Sequence, residues 1–366
     1  MKNPYEKVDW ENVQKVVSIS HAHSYPTNAH PEVDPPFPLF YLRNIINGGV
    51  QHICVSNYYP SHPFYPLEDF YLGTEELLTG KLQSPNAEHH RVTNPGWDGK
   101  FHFNGLGSLW ASGNKSGVTP VGVNMTWQEA FDNIFNNLLY PDGGGITINH
   151  PEWSSLTDNQ IITLLDYDSR VLGIEIFNGT PTITGQDVDT HVESDQWDRI
   201  LLTGRQCFGF AVPDHYAEGN PNTYQNPEQW CGRNILLVDD YTDRACLQAY
   251  RDGRFYSKLF DSDLSFDYIK YDSENHNILV SAPLADTIGI TIDGVTTNYL
   301  SNSVDVIIPT NAVYVRVTAT LHNYQWTQRN GETIMVPEQI FSNPIVLSSP
   351  ENRRIKDADF IQLFIA

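Results

Sequence analysis

Along residues 1–262 the chain alternates short apolar runs with amphipathic stretches. The runs are residues 16–20, 52–56, 101–106, 145–149, 173–177, 207–212 and 235–238. Each has the length of a strand. The stretches between them carry helical spacing. One covers residues 38–47 and stops at Gly48. Thr126 and Glu129 frame a capping box that opens a helix running to about Leu139. The others are residues 158–166, 193–203 (ended by Gly204) and 243–251 (ended by Gly253). Such strand–helix alternation predicts a parallel α/β barrel or a doubly wound sheet.

The pattern changes after residue 262. Strand-like runs follow at 266–271, 278–281, 288–292, 304–309, 314–321 and 345–348, with no helical period. Asp293-Gly294 is a hairpin-turn signal between two of them. Residues 263 to about 350 therefore predict a small antiparallel β-sandwich. The expected domains are an α/β unit over 1–262 and a β-sandwich appendage over 263–366.

Composition narrows the classes. The chain has 366 residues, 22 Lys plus Arg and 44 Asp plus Glu, a formal net charge of 22 − 44 = −22. A hydrophobic fraction of 40% is enough to fill a core and excludes global disorder. No apolar run reaches the roughly 18 residues of a membrane span. Residues 1–7 lack the apolar stretch of a secretory signal, so a cytoplasmic location is the expectation. The acidic balance, without a basic stripe, argues against nucleic acid as a partner. It also repels anionic substrates, so a phosphate-handling site here needs local cations, and metal ions are the obvious source. Cys54, Cys207, Cys231 and Cys246 form no Cys-x-x-Cys pair and read as free structural thiols.

Candidate chemistry lies where the apolar runs end. Of 13 histidines, 11 fall between His21 and His215. His21 and His23 follow the first run, and i, i+2 side chains of an extended segment share a face. Hydrogen-bonded or solvated histidines explain most His-x-His pairs. This one gains weight because His102 opens another run, His150 closes one before Pro151, and Asp214-His215 follows a third. In a parallel barrel, strand C-terminal ends meet on one face. Glu88 supplies a carboxylate able to bridge two cations, while its neighbours His89 and His90 compete as ligands. Several histidines with two carboxylates suit Zn²⁺, Mn²⁺ or Fe²⁺ better than Ca²⁺. A pair of such ions can clamp a phosphoryl group and activate water. There is no Gly-x-Ser-x-Gly elbow and no phosphate-binding Gly-x-x-x-x-Gly-Lys-Ser/Thr loop.

The chain resembles the PHP family, the polymerase and histidinol phosphatase domain of metal-dependent phosphoesterases, over residues 3–258. The resemblance rests on His21-Ala-His-Ser24, Glu88, His102-Phe-Asn-Gly-Leu-Gly107, Asn149-His-Pro151 and Gly173-Ile-Glu-Ile-Phe-Asn178. It continues in Trp197 to Gly204, Cys207 to Asp214 and Gly253-Arg-Phe-Tyr-Ser257. It implies a distorted (β/α)7 barrel with divalent ions at the strand ends. It also implies a ligand set of His21, His23, Glu88 and Asp214 for one ion, and Glu88, His102 and His150 for a second. A small phosphate ester is the implied substrate, hydrolysed through metal-activated water. For such a hydrolase, His215 and Tyr58 are the candidate acids for the leaving group.

Departures limit the likeness. Where the family has Thr-Asp-His, this chain has Ser56-Asn57-Tyr58, and Tyr216 stands at an expected histidine. Both missing histidines serve one ion in the family, so two ions are expected instead of three. The alternative is a scaffold that binds metal and a ligand without turnover. A third possibility makes the C-terminal sandwich a binding module through Tyr299, Tyr324 and Trp326. Substrate identity and oligomeric state are not set by the sequence.

Overall fold

Side-chain caps open three of the four helices among the described residues. The computed structural model describes residues 1–22, 49–56, 80–89, 101–112, 125–179, 182–184, 187–189, 192–214, 232–327 and 333–348. Helix α1 (Trp127–Asn136) starts at the expected capping box: Thr126 takes the Glu129 amide while the Glu129 carboxylate takes the Thr126 amide. Helix α2 (Asp158–Leu165) has a second box, formed by Thr157 and Gln160. Helix α3 (Ser194–Leu201) follows Glu193. Helix α4 (Asp243–Asp252) is capped by Thr242 and ends at Gly253, whose φ of 70° is the left-handed stop that glycine adopts freely. The helix expected over 38–47 lies outside the described residues.

The strands of the first part are β1 (Gln14–Ile19), β2 (His52–Ile53), β3 (Leu82–Gln83), β4 (Glu88–His89), β5 (Phe103–Leu106), β6 (Gly145–Ile148) and β7 (Val171–Asn178). They continue with the hairpin β8 (Thr182–Thr184) and β9 (Asp187–Asp189), then β10 (Phe208–Val212), β11 (Arg233–Val238) and β12 (Phe255–Lys258). The second part holds β13 (Tyr268–Asp272), β14 (Asn277–Ser281), β15 (Thr287–Ile292), β16 (Val295–Tyr299), β17 (Ser303–Ile307), β18 (Tyr314–Thr327), β19 (Thr333–Ser342) and β20 (Ile345–Val346).

The protein is mixed α/β. One sheet has the order β16-β15-β18-β19-β12-β11-β1-β2-β3, with β20 paired to β18. A second has the order β10-β7-β6-β5-β4, and a third β13-β14-β17. The expected parallel arrangement holds only locally: β1–β2, β2–β3, β6–β7 and β7–β10 are parallel. By contrast β1–β11, β4–β5 and β5–β6 are antiparallel. Among the described residues the strands do not close a continuous (β/α)7 ladder. At the β10 edge, side chains replace the missing neighbour. Asn234 on β11 bonds both the amide and the carbonyl of Ala211, Asn343 accepts from the Gly209 amide, and Ser257 donates to the Gly209 carbonyl. The edge of the five-stranded sheet is thereby joined to the ten-stranded one without a backbone ladder.

Val16, Cys54, Leu106, Leu172, Phe210, Leu236 and Tyr250 pack between these two sheets. On the outer face of the five-stranded sheet, α1, α2 and α3 bury Phe131, Ile134, Ile161, Trp197 and Ile200. Gly173 allows β7 and β10 to approach: a Cβ there would lie 2.0 Å from the Phe208 carbonyl oxygen.

In the second part the antiparallel sheets share a core of Ile269, Ile278, Val280, Ile288, Ile290, Val315 and Val317. The Asp293-Gly294 turn joins β15 to β16, with φ of 50° and 82°, as the hairpin signal requires. Two strands had no sequence signal. β16 is exposed at four of five positions, and β19 contains Pro337 and the buried Glu338. A proline and a charge both argue against a strand when read alone. Among the described residues no helix is long and apolar enough to cross a membrane.

Candidate metal centre

Chain ends of several strands converge at one end of the five-stranded sheet. His21 lies two residues past β1, His150 two past β6 and Asp214 two past β10. His102 precedes β5 instead. Because β5 runs antiparallel to β6, with Phe103 opposite Ile148, its start lies beside the end of β6. Glu88 enters from β4, opposite Asn104. The Asp214 amide is bonded to the His21 carbonyl at 3.2 Å, which ties the two segments.

Glu88 is the hub. Its carboxylate lies 2.8 Å from His102 Nδ1, 3.2 Å from His150 Nε2 and 3.3 Å from His21 Nε2. His21 Nε2 is also 2.9 Å from Asp214 Oδ1. Two groups result, Glu88 with His102 and His150, and His21 with Glu88 and Asp214, in each of which the ligand atoms lie within 4.8 Å of one another. Nitrogen and carboxylate donors in such triads fit a first-row divalent ion.

Electrostatics describe a tightly coupled set. Burial works against the His21 imidazolium, but Asp214, Glu175 and Glu88 outweigh it and hold His21 well above its ordinary value. His150 is raised in the same way, against burial, chiefly by Glu88. Burial opposes ionisation of Glu88 too. His21 overcomes it first, then His102 and His150, and the carboxyl is held well below the usual range. Protons and cations thus compete for one cavity of histidines and acids.

One residue of the centre, Glu175, lies in the Gly173–Asn178 segment of the resemblance but is not among the ligands that the resemblance implies. Glu175, buried in the apolar strand β7, holds His21 Nδ1 at 2.7 Å and accepts the His150 amide at 2.8 Å. Asn178 donates to both Glu175 and Asp214, at 2.7 and 2.9 Å, and Asn149 donates to Glu88 at 3.2 Å. The available signal was the carboxylate itself: an acid amid Val171-Leu-Gly-Ile and Ile-Phe177 must be paired to be buried. The backbone also departs from the ordinary here, with φ of 29° at His150 and 41° at Asp214. Left-handed backbone at non-glycine residues is held in place by its surroundings and concentrates at functional sites.

Of the expected site residues, the structure brings together His21, Glu88, His102, His150 and Asp214. His23, Tyr58 and His215 lie outside the described residues, as do His90, Asn57 and Tyr216. His89 points away from the cluster. Its Nδ1 meets Ser112 at 2.9 Å, and its ring lies between Phe103 and Trp110 at 5.0 and 5.4 Å.

No family model matches the chain, and no curated protein matches it. Among solved structures it is similar to a two-domain protein containing a predicted PHP-like metal-dependent phosphoesterase from Bacteroides vulgatus ATCC 8482. The identity is 14%, the TM-score 0.46, and the match covers 92% of this chain and 99% of that one. A likeness that distant carries no argument about chemistry, which rests on the side chains described above.

Proposed function

We propose that the cluster is the metal centre of a hydrolase acting on small phosphate esters, holding two divalent ions, Zn²⁺, Mn²⁺ or Fe²⁺, that share Glu88. The proposal includes the frame the sequence resemblance implies, a distorted (β/α)7 barrel over 1–262 and a β-sandwich over 263–366. It rests chiefly on one observation: two compact ligand triads that overlap in a single buried carboxylate.

His21 is oriented for this task. Glu175 engages Nδ1, so Nε2 is the nitrogen turned toward Glu88 and Asp214. Ser154 Oγ at 3.2 Å from Nδ1 does the same for His150, leaving Nε2 toward Glu88. His23 joins His21 as a ligand in this reading. Bound divalent ions supply Lewis acidity toward a phosphoryl oxygen and lower the pKa of water. Charge explains why the residues need them. Glu88, Glu175 and Asp214 bring three carboxylates to the site in a chain of net charge −22, and without a bound ion only the imidazolium forms of His21 and His150 offset them. Without metal cations the balance stays negative and repels a phosphate dianion. His215 or Tyr58 holds the proton destined for the leaving alkoxide.

The test is metal analysis of protein purified without chelator, followed by turnover of a phosphate-ester panel with added Mn²⁺ or Zn²⁺. Two ions per chain and metal-stimulated hydrolysis are expected, and Glu88→Gln loses both. A chain that holds its ions yet hydrolyses nothing fits the second reading, a ligand-binding scaffold without turnover. Asn57, Tyr58 and Tyr216, in place of the family's residues, motivate that reading.

A further inference from the structure

The turn after β6 carries an aromatic side chain that the metal reading leaves without a task. Trp153 is 62% exposed, although an indole is among the side chains that gain most from burial. Its ring stands perpendicular to that of His150, centroids 4.8 Å apart at 90°, and edge-on to His102 at 5.4 Å and 61°. Both histidines belong to the triad with Glu88. The indole therefore packs edge-on against two imidazoles of the Glu88 triad and presents most of its surface to solvent.

The position is built. Pro151 starts the turn, the Ser154 amide bonds the His150 carbonyl at 3.0 Å, and the Leu156 amide bonds the Pro151 carbonyl at 2.9 Å. Ser154 and Leu156, which follow Trp153, are each 7% exposed and anchor the loop. The neighbouring Glu152 pairs with Glu193, whose pKa burial and Glu152 push up to about 8, so the two share a proton and leave one negative charge beside the indole. That charge disfavours a second anionic group on the bound molecule.

We propose that Trp153 is the platform for the organic half of the substrate, a phosphomonoester whose alcohol carries an uncharged ring with a flat or apolar face. An aryl ring would stack on the indole, and a pyranose would lay its C–H face on it. The inference rests on the reading of Glu88, His102 and His150 as part of a phosphate-ester site. It adds which esters are preferred.

The experiment is calorimetric binding to the metal-loaded full chain of methylphosphonate, phenylphosphonate and the phosphonate analogue of glucose 6-phosphate. Wild type is expected to bind a ring-bearing probe roughly 3- to 10-fold more tightly than methylphosphonate. Trp153→Ala should abolish that preference, read as the ratio of ring-bearing to methylphosphonate affinity in the same variant, and Trp153→Phe should retain most of it. A preference for phenylphosphonate alone identifies an aryl ester, and one for the sugar analogue identifies a sugar phosphate. A wild type without ring preference, or a preference that survives Trp153→Ala, overturns the platform while the phosphate site stands. If the chain takes up no ion, or no phosphonate binds, the phosphate-site reading fails and the platform with it.

Discussion

Glu175 is the residue at which structural and chemical demands meet. It sits in a strand whose other core positions are apolar, and it stays there because His21, the His150 amide and Asn178 satisfy its oxygens. Its charge fixes the ring orientation of a histidine it does not share with any substrate. Glu175→Gln keeps the shape but removes the charge that holds the His21 Nδ1 proton. The expected outcome is metal affinity weakened about 10- to 100-fold, read by titration with a competing chelator, with the circular dichroism spectrum retained. Unchanged affinity would mean that His21 is not held through Glu175.

At the scale of elements, buried polar pairs set the register where backbone ladders are short. β2 and β3 have two residues each, and His52 bridges them to β1. His52 Nδ1 meets Ser18 at 2.8 Å, its Nε2 meets Ser84 at 2.9 Å, and Tyr250 donates to Ser18 at 2.7 Å. Burial pushes the His52 pKa down to about 3. The unfolded chain takes up a proton near its ordinary 6.5, whereas the folded chain does not. Stability from this group is thus complete above that pH and drains as the pH falls toward 3, by at most roughly 1.4 kcal/mol per pH unit. His52→Gln should flatten the acid limb of the melting temperature against pH, relative to wild type. An equally steep limb would show that His52 is not held neutral in the fold.

For the molecule as a whole, the two parts are joined by more than a linker. β12 pairs with β19, so one sheet crosses residue 262, and Val313, Tyr314, Trp326 and Phe341 pack into the same core as α1–α3. Asp198 on α3 receives a two-pronged bond from Arg316 on β18, both contacts at 2.7 Å, and a further one from the Tyr314 hydroxyl. The pair is nearly buried, Arg316 at 5% and Asp198 at 13% exposure. Arg316→Met leaves that carboxylate without its main partner and should cost about 3–5 kcal/mol in denaturant unfolding. Adding Asp198→Asn should recover part of the loss. A cost below about 1 kcal/mol would show that the junction does not depend on this pair.

Periodicity and capping were enough to place α1, α2, α3 and α4 within a few residues, because a helix is decided by neighbours within one or two turns. The apolar runs located β1, β2, β5, β6, β7, β10 and β11 but not β3, β4, β8, β9 or β12, and polar residues at the ends of these runs pointed to His21, His102, His150 and Asp214. Strand direction was beyond that reading. A short apolar run looks the same whether it pairs parallel or antiparallel, so β5 beside β6 and β1 beside β11 were settled only by the fold. β19 could not be read locally: Pro337 falls at the register shift between β18 and β19, and Glu338 is tolerated because Phe260, Ser262 and Gln339 donate to its carboxylate. Glu175 belongs to the same class. Local sequence determined which segments are helical and where metal-capable side chains occur. Tertiary structure alone decided which of those side chains meet, because distances between segments depend on pairing partners many residues away.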